Sequence, residues 1–330
     1  MGQLVSVAEI RAAADRLHGV VTRTALAPFP GLPSPLLIKP ESLQPVGSFK
    51  LRGAYAAISA LPSAERQRGV VAHSSGNHGH AVAYAAALLG IRAVIVVPET
   101  APATKTDAII ACGAELIRVA PTMEARTATA DALVARHGYA LIPPFDDPRV
   151  IAGQGTIGLE IMADAPDTDL IVVPVSGGGL IAGISAAARA VSPDVTIIGV
   201  EPEFAADARD SLRKGERIAW PSASVQRTVA DALRVERVGA LPFAHMQRDV
   251  AGIVTVTDGE ILAAVRRLAT EARLVAEPGG AAAVAACLFR RDEFPAARHP
   301  VAVLSGGNID PALFTRVIAG GGATPAPAAH

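Results

Sequence analysis

A lysine with apolar neighbours is the residue whose type and position first suggest chemistry. Lys50 lies in residues 45–54, which read PVGSFKLRGA. A lysine amine becomes a good nucleophile toward an aldehyde when desolvation lowers its pKa, and Phe49 and Leu51 supply apolar surroundings at a predicted helix start. An isolated lysine more often faces solvent, because lysine is rarely buried without a partner. Lys50 is therefore a candidate anchor for an aldehyde cofactor if other segments complete a site.

Two glycine-rich loops strengthen this interpretation. Residues 74–79 (SSGNHG) follow the apolar run 69–73, and residues 176–180 (SGGGL) follow the apolar run 170–175. Successive glycines at a helix N-terminus let backbone N–H groups approach a phosphate, which the helix dipole also favours. Alone, such a loop is more often a tight turn between a strand and a helix. It lacks the Lys-Ser/Thr ending of a nucleotide P-loop and the spacing of a dinucleotide fingerprint, so nucleotide binding is disfavoured.

A fourth segment combines a strand pattern with a hydroxyl group. Residues 301–310 read VAVLSGGNID, so Ser305 would lie at the carboxyl end of a buried strand. Open α/β sheets bind their ligands at that edge. Without the other three segments, this Ser-Gly-Gly turn would be interpreted as a simple strand exit.

In this order, the four segments resemble the pyridoxal-phosphate (PLP) enzymes of the tryptophan-synthase-β fold type. The closest resemblance is to the serine/threonine ammonia-lyase and serine racemase family. It extends from about residue 5 to residue 318 and includes the connecting stretch IAGQGTIGLE at 151–160. The resemblance implies PLP as the cofactor and an amino acid as the substrate.

The fold implied by the resemblance is a fold type II α/β enzyme, with two open, mainly parallel α/β domains and the cofactor in the cleft between them. The large domain would comprise residues 1–68 and 147–320, and the small domain residues 69–146. Residues 321–330, rich in Gly, Ala and Pro, are expected to be disordered. Three prolines within residues 143–148 cannot continue a helix, which suits a chain crossing between domains.

The periodicity of the chain predicts the same class of fold. Short apolar runs alternate with Ala-rich helical stretches, as in βαβ units whose parallel sheets are covered on both faces. The clearest predicted strands are residues 94–97, 116–119 and 197–200, and the clearest predicted helices are residues 81–89, 104–112, 123–137 and 259–272.

The resemblance also implies roles around the cofactor. Lys50 would anchor PLP and then remove the Cα proton of the substrate. Asn77 would hydrogen-bond the phenolic oxygen of the cofactor, and Ser305 would face its pyridine nitrogen. The phosphate would be bound by the backbone N–H groups of Ser176, Gly177, Gly178, Gly179 and Leu180.

Four further residues are candidates for substrate binding or a second proton transfer. Ser74 and His78, with neighbouring amides, would hold the substrate carboxylate at a helix N-terminus. Ser75 stands where many catabolic threonine deaminases carry Ala. In racemase-like members a hydroxyl at this position lies opposite the lysine, and inversion at Cα requires such two-sided proton access. Arg126 would meet a second carboxylate, although in a helix it would more often face solvent.

A cation site is suggested by residues 201–207, which read EPEFAAD. Racemase-like relatives bind a cation through a Glu, a backbone carbonyl and an Asp at this spacing, here Glu201, Ala205 and Asp207. Oxygen ligands completed by water suit Mg²⁺ or Ca²⁺. A solvated acidic turn after a strand explains the same residues equally well.

The neutral hydroxyl of Ser305 favours elimination. It can hydrogen-bond an unprotonated pyridine nitrogen but cannot keep that nitrogen protonated, so a long-lived carbanion is disfavoured. We therefore expect β-elimination of L-threonine or L-serine to a 2-oxo acid and ammonia. The alternatives are a serine or aspartate racemase and a threo-3-hydroxyaspartate ammonia-lyase. An alternative of a different class is a non-catalytic protein that binds PLP or another small ligand.

The bulk composition disfavours several other classes of protein. The chain has 330 residues, of which 50% are hydrophobic and 18% charged, with a net charge of -1. It has no basic stripe that would predict binding to nucleic acid or to a membrane. Cys112 and Cys287 are far apart, and the N-terminus lacks a secretion signal, so we expect a cytoplasmic protein without disulfides. A homodimer is the expectation from the family resemblance.

Overall fold

The computed structural model describes residues 3–32 and 34–320, and these contain ten strands in two sheets. The strands are β1 Ala27–Pro28, β2 Leu37–Pro40, β3 Val70–His73, β4 Ala93–Pro98, β5 Glu115–Val119, β6 Ala140–Leu141, β7 Leu170–Pro174, β8 Thr196–Pro202, β9 Gly252–Val256 and β10 Pro300–Leu304. The predicted tail at 321–330 lies outside the described residues.

Fourteen α-helices occur in the described part of the chain. They are α1 Val7–Leu17, α2 Lys50–Ser59, α3 Ser63–Arg68, α4 Asn77–Leu88, α5 Ala103–Ala111, α6 Met123–His137, α7 Pro148–Asp164, α8 Gly179–Val191, α9 Asp207–Lys214, α10 Ser222–Val225, α11 Ala240–Asp249, α12 Asp258–Arg267, α13 Pro278–Phe289 and α14 Pro311–Ile318. Short 3₁₀ turns cover Glu41–Leu43, Asp231–Leu233 and Arg291–Glu293, and a π-helical turn covers Leu268–Ala272.

Both sheets are built mainly from parallel strands. The larger sheet has the order β1-β2-β10-β7-β8-β9, and only β1 pairs antiparallel with its neighbour. The smaller sheet has the order β5-β4-β3-β6 and is parallel throughout. The predicted α/β class with parallel sheets is confirmed.

The larger sheet is covered on both faces, as its sequence predicts. Every residue of β7 and β10 is buried, because helices pack against both sides of these central strands. One face packs against α12 and α13, and the other against α7, α8 and α11. Small residues in α13 let this helix approach the larger sheet closely, and residues Pro278 to Cys287 are all buried.

The smaller sheet shares its core with a helix that precedes it in sequence. All four of its strands lie within residues 70–141. Leu51, Ala54 and Ile58 of α2 and Val150 of α7 belong to the same apolar cluster as the strands. The core therefore crosses the predicted limits of the small domain, and residues 69–146 stay a prediction for its extent.

The start of α7 shows how the chain leaves the smaller sheet. Asp147 accepts hydrogen bonds from the backbone N–H groups of Arg149 (2.7 Å) and Val150 (3.3 Å), and Pro148 occupies the first helical position. An Asp cap followed by Pro is a strong helix start, since Pro needs no hydrogen bond there. Within residues 3–32 and 34–320, no helix has the length and apolar character needed to cross a membrane.

Candidate active site

Lys50 begins α2 and lies in apolar surroundings. Its Nζ donates a hydrogen bond to the carbonyl oxygen of Pro144 (2.8 Å) and lies 5.0 Å from the centroid of the Phe49 ring. Burial lowers the pKa of Lys50 to about 8, and the negative charge of Glu277 opposes this effect. About a tenth of the amines are then neutral at pH 7, far more than for a lysine in water.

The turn before Lys50 is held against the end of β10. The backbone N–H of Phe49 donates to the carbonyl oxygen of Ser305 (3.0 Å), and Ser48 forms an isolated β-bridge with Gly306. Gly47 has φ +70° and lies against Asn308, so a Cβ there would overlap the Asn308 side chain. Two of the predicted motifs are therefore in direct contact.

The glycine-rich loop 176–180 leads into α8 with its backbone donors free. No described residue accepts a hydrogen bond from the backbone N–H groups of this loop, and its Gly178 cap offers no side chain. Gly177 and Gly179 pack against Phe145: a Cβ at Gly177 would overlap the Phe145 ring, and a Cβ at Gly179 would lie in tight contact, 3.0 Å from Phe145. Because Phe145 follows Pro144, the loop and Lys50 meet at the same short segment. Free donors at the N-terminus of a 13-residue helix fit a phosphate group.

Ser305 follows β10 and is 6% exposed. Its backbone C=O accepts from Phe49, and its N–H donates to the carbonyl oxygen of Gly280 (3.3 Å). The side-chain hydroxyl is therefore the polar group of Ser305 that is left for a ligand, and a neutral hydroxyl fits a ring nitrogen.

Asn77 is the first residue of α4, and its side chain is hydrogen-bonded on both sides. Its Nδ2 donates to Glu277 Oε1 (2.6 Å), and its Oδ1 accepts from Asn308 Nδ2 (2.7 Å). One N–H of the Asn77 amide is left over, because the amide nitrogen carries two. This group suits the phenolic oxygen that the sequence assigns to Asn77.

The loop between β3 and α4 contains the predicted carboxylate-binding residues. Ser74 Oγ accepts from the backbone N–H of Gly76 (3.3 Å), and Ser75 is partly buried in the same loop. His78 is buried, and its Nε2 lies 2.8 Å from the carbonyl oxygen of Ile142. Burial, with the charge of Lys50, lowers the pKa of His78 to about 3, so the neutral ring donates to Ile142. The backbone N–H of His78, rather than its ring, is then available to a carboxylate.

Arg126 is the fourth residue of α6 and lies close to the end of β3. Burial lowers the pKa of His73, and the nearby positive charge of Arg126 lowers it further. Burial also lowers the pKa of Arg126, whose Nε donates to the carbonyl oxygen of Thr122 (3.3 Å). Since His73 adjoins Ser74, Arg126 stands near the predicted carboxylate loop.

The predicted cation ligands form a separate group at the end of β8. The two carboxylate oxygens of Glu201 accept from the backbone N–H groups of Ala208 (3.0 Å) and Arg209 (2.8 Å), and Asp207 Oδ2 accepts from Val238 N (2.7 Å). Burial and the charge of Asp207 raise the pKa of Glu201, and burial raises the pKa of Asp207 to about 7.

The hydrogen bonds to these carboxylates come from backbone N–H groups, and among the described residues neither carboxylate forms a salt bridge, so a cation bound by Glu201, Asp207 and the Ala205 carbonyl oxygen would suit them. Within the described residues there is no cluster of three or more His, Cys, Asp or Glu side chains arranged for a metal. The ligand set stays a prediction.

Sequence reasoning left two contributors unassigned. Glu277 and Asn308 both contact Asn77, from the start of α13 and from the segment after β10. The only sequence signal was their position, since Glu277 precedes a Pro-Gly-Gly helix start and Asn308 closes the Ser-Gly-Gly-Asn motif.

Comparison with known proteins identifies the class. The family described as pyridoxal-phosphate dependent enzyme matches residues 17–306. The chain therefore belongs to this family, and the predicted family, fold type and PLP cofactor are confirmed.

Particular relatives are similar over most of the chain. An L-threonine ammonia-lyase of Thermotoga maritima is 41% identical over 96% of this chain and 78% of its own length. An L-threo-3-hydroxyaspartate ammonia-lyase of Saccharomyces cerevisiae is 40% identical over 86% of each protein. The solved structure of maize serine racemase has a TM-score of 0.91 at 34% identity, covering 96% of this chain and 98% of that one.

Proposed function

We propose that the protein is an ammonia-lyase that converts L-threonine or L-serine to a 2-oxo acid and ammonia by β-elimination. The observation that carries the proposal is Lys50, an amine with a lowered pKa at the meeting point of four segments suited to PLP. When bound, the cofactor withdraws electrons from the substrate Cα. The relatives named as ammonia-lyases support the same reaction.

Different residues of this chain would bind the cofactor, move the proton and bind the substrate. The free N–H groups of residues 176–180 would hold the cofactor phosphate, and the Ser305 hydroxyl would hold its ring nitrogen. The Lys50 amine would accept the Cα proton. Backbone N–H groups at the start of α4, with Ser74, would hold the substrate carboxylate where the helix dipole favours an anion. The hydroxyl would then leave the neighbouring carbon as water, with the proton taken from Cα, and hydrolysis of the released enamine would give the 2-oxo acid and ammonia.

A second candidate is activity on substrates with two carboxylates. Arg126 is close enough to His73 to lower its pKa, so a guanidinium stands near the loop that would hold the first carboxylate. A guanidinium fork suits a second carboxylate. This arrangement favours threo-3-hydroxyaspartate elimination or aspartate racemisation, and the yeast relative acts on L-threo-3-hydroxyaspartate by its name. Ser75 would supply the second proton donor that racemisation of serine or aspartate needs.

We also propose that Mg²⁺ or a similar cation binds to Glu201, the Ala205 carbonyl oxygen and Asp207. The support is the pair of buried carboxylates, since a divalent cation offsets the cost of burying their charge. We propose in addition that the protein is cytoplasmic and forms a homodimer. Location is supported by the unpaired cysteines Cys112 and Cys287, and the homodimer by family resemblance.

The experiment is to incubate purified protein and PLP with each of L-serine, L-threonine and L-threo-3-hydroxyaspartate, with Mg²⁺ or with a chelator. We expect 2-oxo acid in excess over D-isomer, and more product with Mg²⁺. D-isomer in excess would move the assignment to racemase, and product from hydroxyaspartate alone would establish the second candidate. The Ser75→Ala variant should lose D-isomer formation before it loses oxo acid.

Lys50→Ala separates an enzyme from a protein that only binds the cofactor. We expect this variant to lose the yellow colour and all turnover, whereas Lys214→Ala, at the exposed end of α9, should keep both. Colour that depends on Lys50 without turnover of any of the three substrates would favour the non-catalytic alternative.

A further inference from the structure

Glu277 is a buried carboxylate next to the proposed cofactor site. It occupies the N-cap position of α13 without making a side-chain capping bond, is 5% exposed, and accepts a hydrogen bond from Asn77 Nδ2 (2.6 Å). Its backbone N–H donates to the carbonyl oxygen of Gly306 (3.0 Å), and a Cβ at Gly306 would overlap its carboxylate. Glu277 is therefore fixed against the Ser-Gly-Gly-Asn segment while its side chain reaches Asn77.

Asn308 fixes the opposite side of the Asn77 amide. Its Nδ2 donates both to Asn77 Oδ1 (2.7 Å) and to the carbonyl oxygen of Val46 (2.9 Å). Because a donor faces the Asn77 oxygen and an acceptor faces its nitrogen, the amide has one favourable orientation. The second N–H of Asn77 must then point away from Glu277, in a direction set by these two partners.

The charge state of Glu277 is sensitive near neutral pH. Burial raises its pKa to about 7, and the negative charge of Asp231 acts in the same direction, while the Asn77 hydrogen bond, Lys105 and Lys50 oppose the shift. The ionised carboxylate only accepts hydrogen bonds, whereas the protonated form also has a donor. Loss of a proton therefore changes both the charge and the hydrogen bonding beside Asn77.

We propose that Glu277 is a positioning residue that orients the Asn77 amide toward the phenolic oxygen of bound PLP, and that its protonation changes the ionisation of that oxygen. A negative Glu277 disfavours a negative phenolic oxygen nearby, and protonation of Glu277 removes this repulsion. The inference depends on the proposed placement of PLP against Asn77, and it adds a pH-sensitive group that does not touch the substrate.

The test is the visible absorption of the holoenzyme as a function of pH, in the absence of substrate. We expect a spectral transition near neutral pH in the wild type. Glu277→Gln keeps an oxygen that accepts from Asn77 but does not titrate, so the transition should disappear while PLP stays bound. Glu115→Gln is the matched control, because Glu115 is exposed on the edge strand β5 and its removal should leave the transition unchanged.

Two surface variants change the charge near Glu277 without removing the hydrogen bond between Glu277 and Asn77. Asp231→Asn removes a charge that raises the pKa of Glu277, so the midpoint should move to lower pH; Lys105→Gln removes an opposing charge, so the midpoint should move to higher pH. Each shift should be about 0.5 pH unit at low salt and smaller at high salt. The opposite signs separate this response from general damage to the fold.

The results distinguish this inference from the proposed function. A Glu277→Gln holoenzyme that keeps the wild-type transition would overturn the inference, as would equal shifts in Asp231→Asn and Lys105→Gln or a wild type with no transition. Each of these leaves PLP binding and elimination intact. Wild-type protein without yellow colour would instead reject the proposed function.

Discussion

At the scale of single residues, the reactivity of Lys50 depends on its burial and on a hydrogen-bond partner that is distant in sequence. Lys50 was predicted to have a lowered pKa from its apolar neighbours, and burial in the structure has that effect. The acceptor for its amine, the Pro144 carbonyl oxygen, is 94 positions away and has no sequence signature. His78 was assigned, with neighbouring amides, to the substrate carboxylate, and its ring has a partner that no local pattern indicates, the carbonyl oxygen of Ile142. Such partners depend on tertiary packing, which local patterns do not encode.

The lowered pKa of Lys50 predicts how fast PLP binds to the apoprotein. Only the neutral amine attacks an aldehyde, so the rate of colour formation should rise with pH and level off above about 8. An ordinary lysine would keep gaining reactivity to about pH 10. The measurement is stopped-flow absorbance over a pH series, with N-acetyl-lysine as the reference that carries the ionisations of PLP itself. A protein rate that follows the reference throughout would contradict the lowered pKa.

At the scale of elements, the sequence predicted the central residues of helices and strands, but it did not predict the helix ends that contribute to the candidate site. The predicted strand at 94–97 is the middle of β4, and the predicted helix at 123–137 coincides with α6. However, α4 begins at Asn77, not at the predicted residue 81. Its first turn contains Asn77, His78 and Gly79, which disfavour helix by propensity, and this is the turn whose free N–H groups suit a carboxylate. The predicted helix at 259–272 becomes π-helical from Leu268 onward.

The start of α8 depends on a glycine that no other residue replaces well. Gly178 has φ +87°, and a Cβ there would lie 2.8 Å from Pro242 Cβ and 2.9 Å from Val238 Cγ2. Gly178→Ala should therefore lower the free energy of unfolding by about 2–4 kcal/mol, from backbone strain and overlap together. It should also weaken PLP binding at least about tenfold, because the N–H groups of residues 176–180 would move.

Gly215→Ala is the control for this change. Gly215 has φ +77°, but a Cβ added there would have no atom within 4 Å, so its substitution should cost about 1 kcal/mol and leave PLP affinity unchanged. Urea unfolding and titration of the apoproteins with PLP give the two quantities. Equal effects of the two variants would show that φ alone, and not the packing of the loop, matters at Gly178.

At the scale of the whole molecule, a buried ionic network joins strand β2 of the larger sheet to α2 and α7, two helices that also pack against the smaller sheet. Arg52 of α2 pairs with Glu41 (2.8 Å) and with Glu160 of α7 (2.7 Å), and Glu160 also pairs with Lys39 of β2 (2.6 Å). Two cations balance two carboxylates, and Arg52, Lys39 and Glu41 are fully buried. The family resemblance covered all four positions, but it assigned them no role.

Removing one member of this network should cost far more than removing a surface pair. Arg52→Ala leaves the buried Glu41 and the partly buried Glu160 with one lysine, so the free energy of unfolding should fall by about 3–5 kcal/mol. Arg92→Ala, which breaks the exposed pair with Glu115, should cause a much smaller loss. Urea unfolding of the apoproteins at fixed pH gives both values.

Arg52→Lys keeps a charge but loses the two-pronged contact with Glu41, so its stability should fall between that of Arg52→Ala and that of the wild type. Similar losses for Arg52→Ala and Arg92→Ala would mean that the network does not stabilise the junction, and that apolar packing of α2 against the smaller sheet suffices.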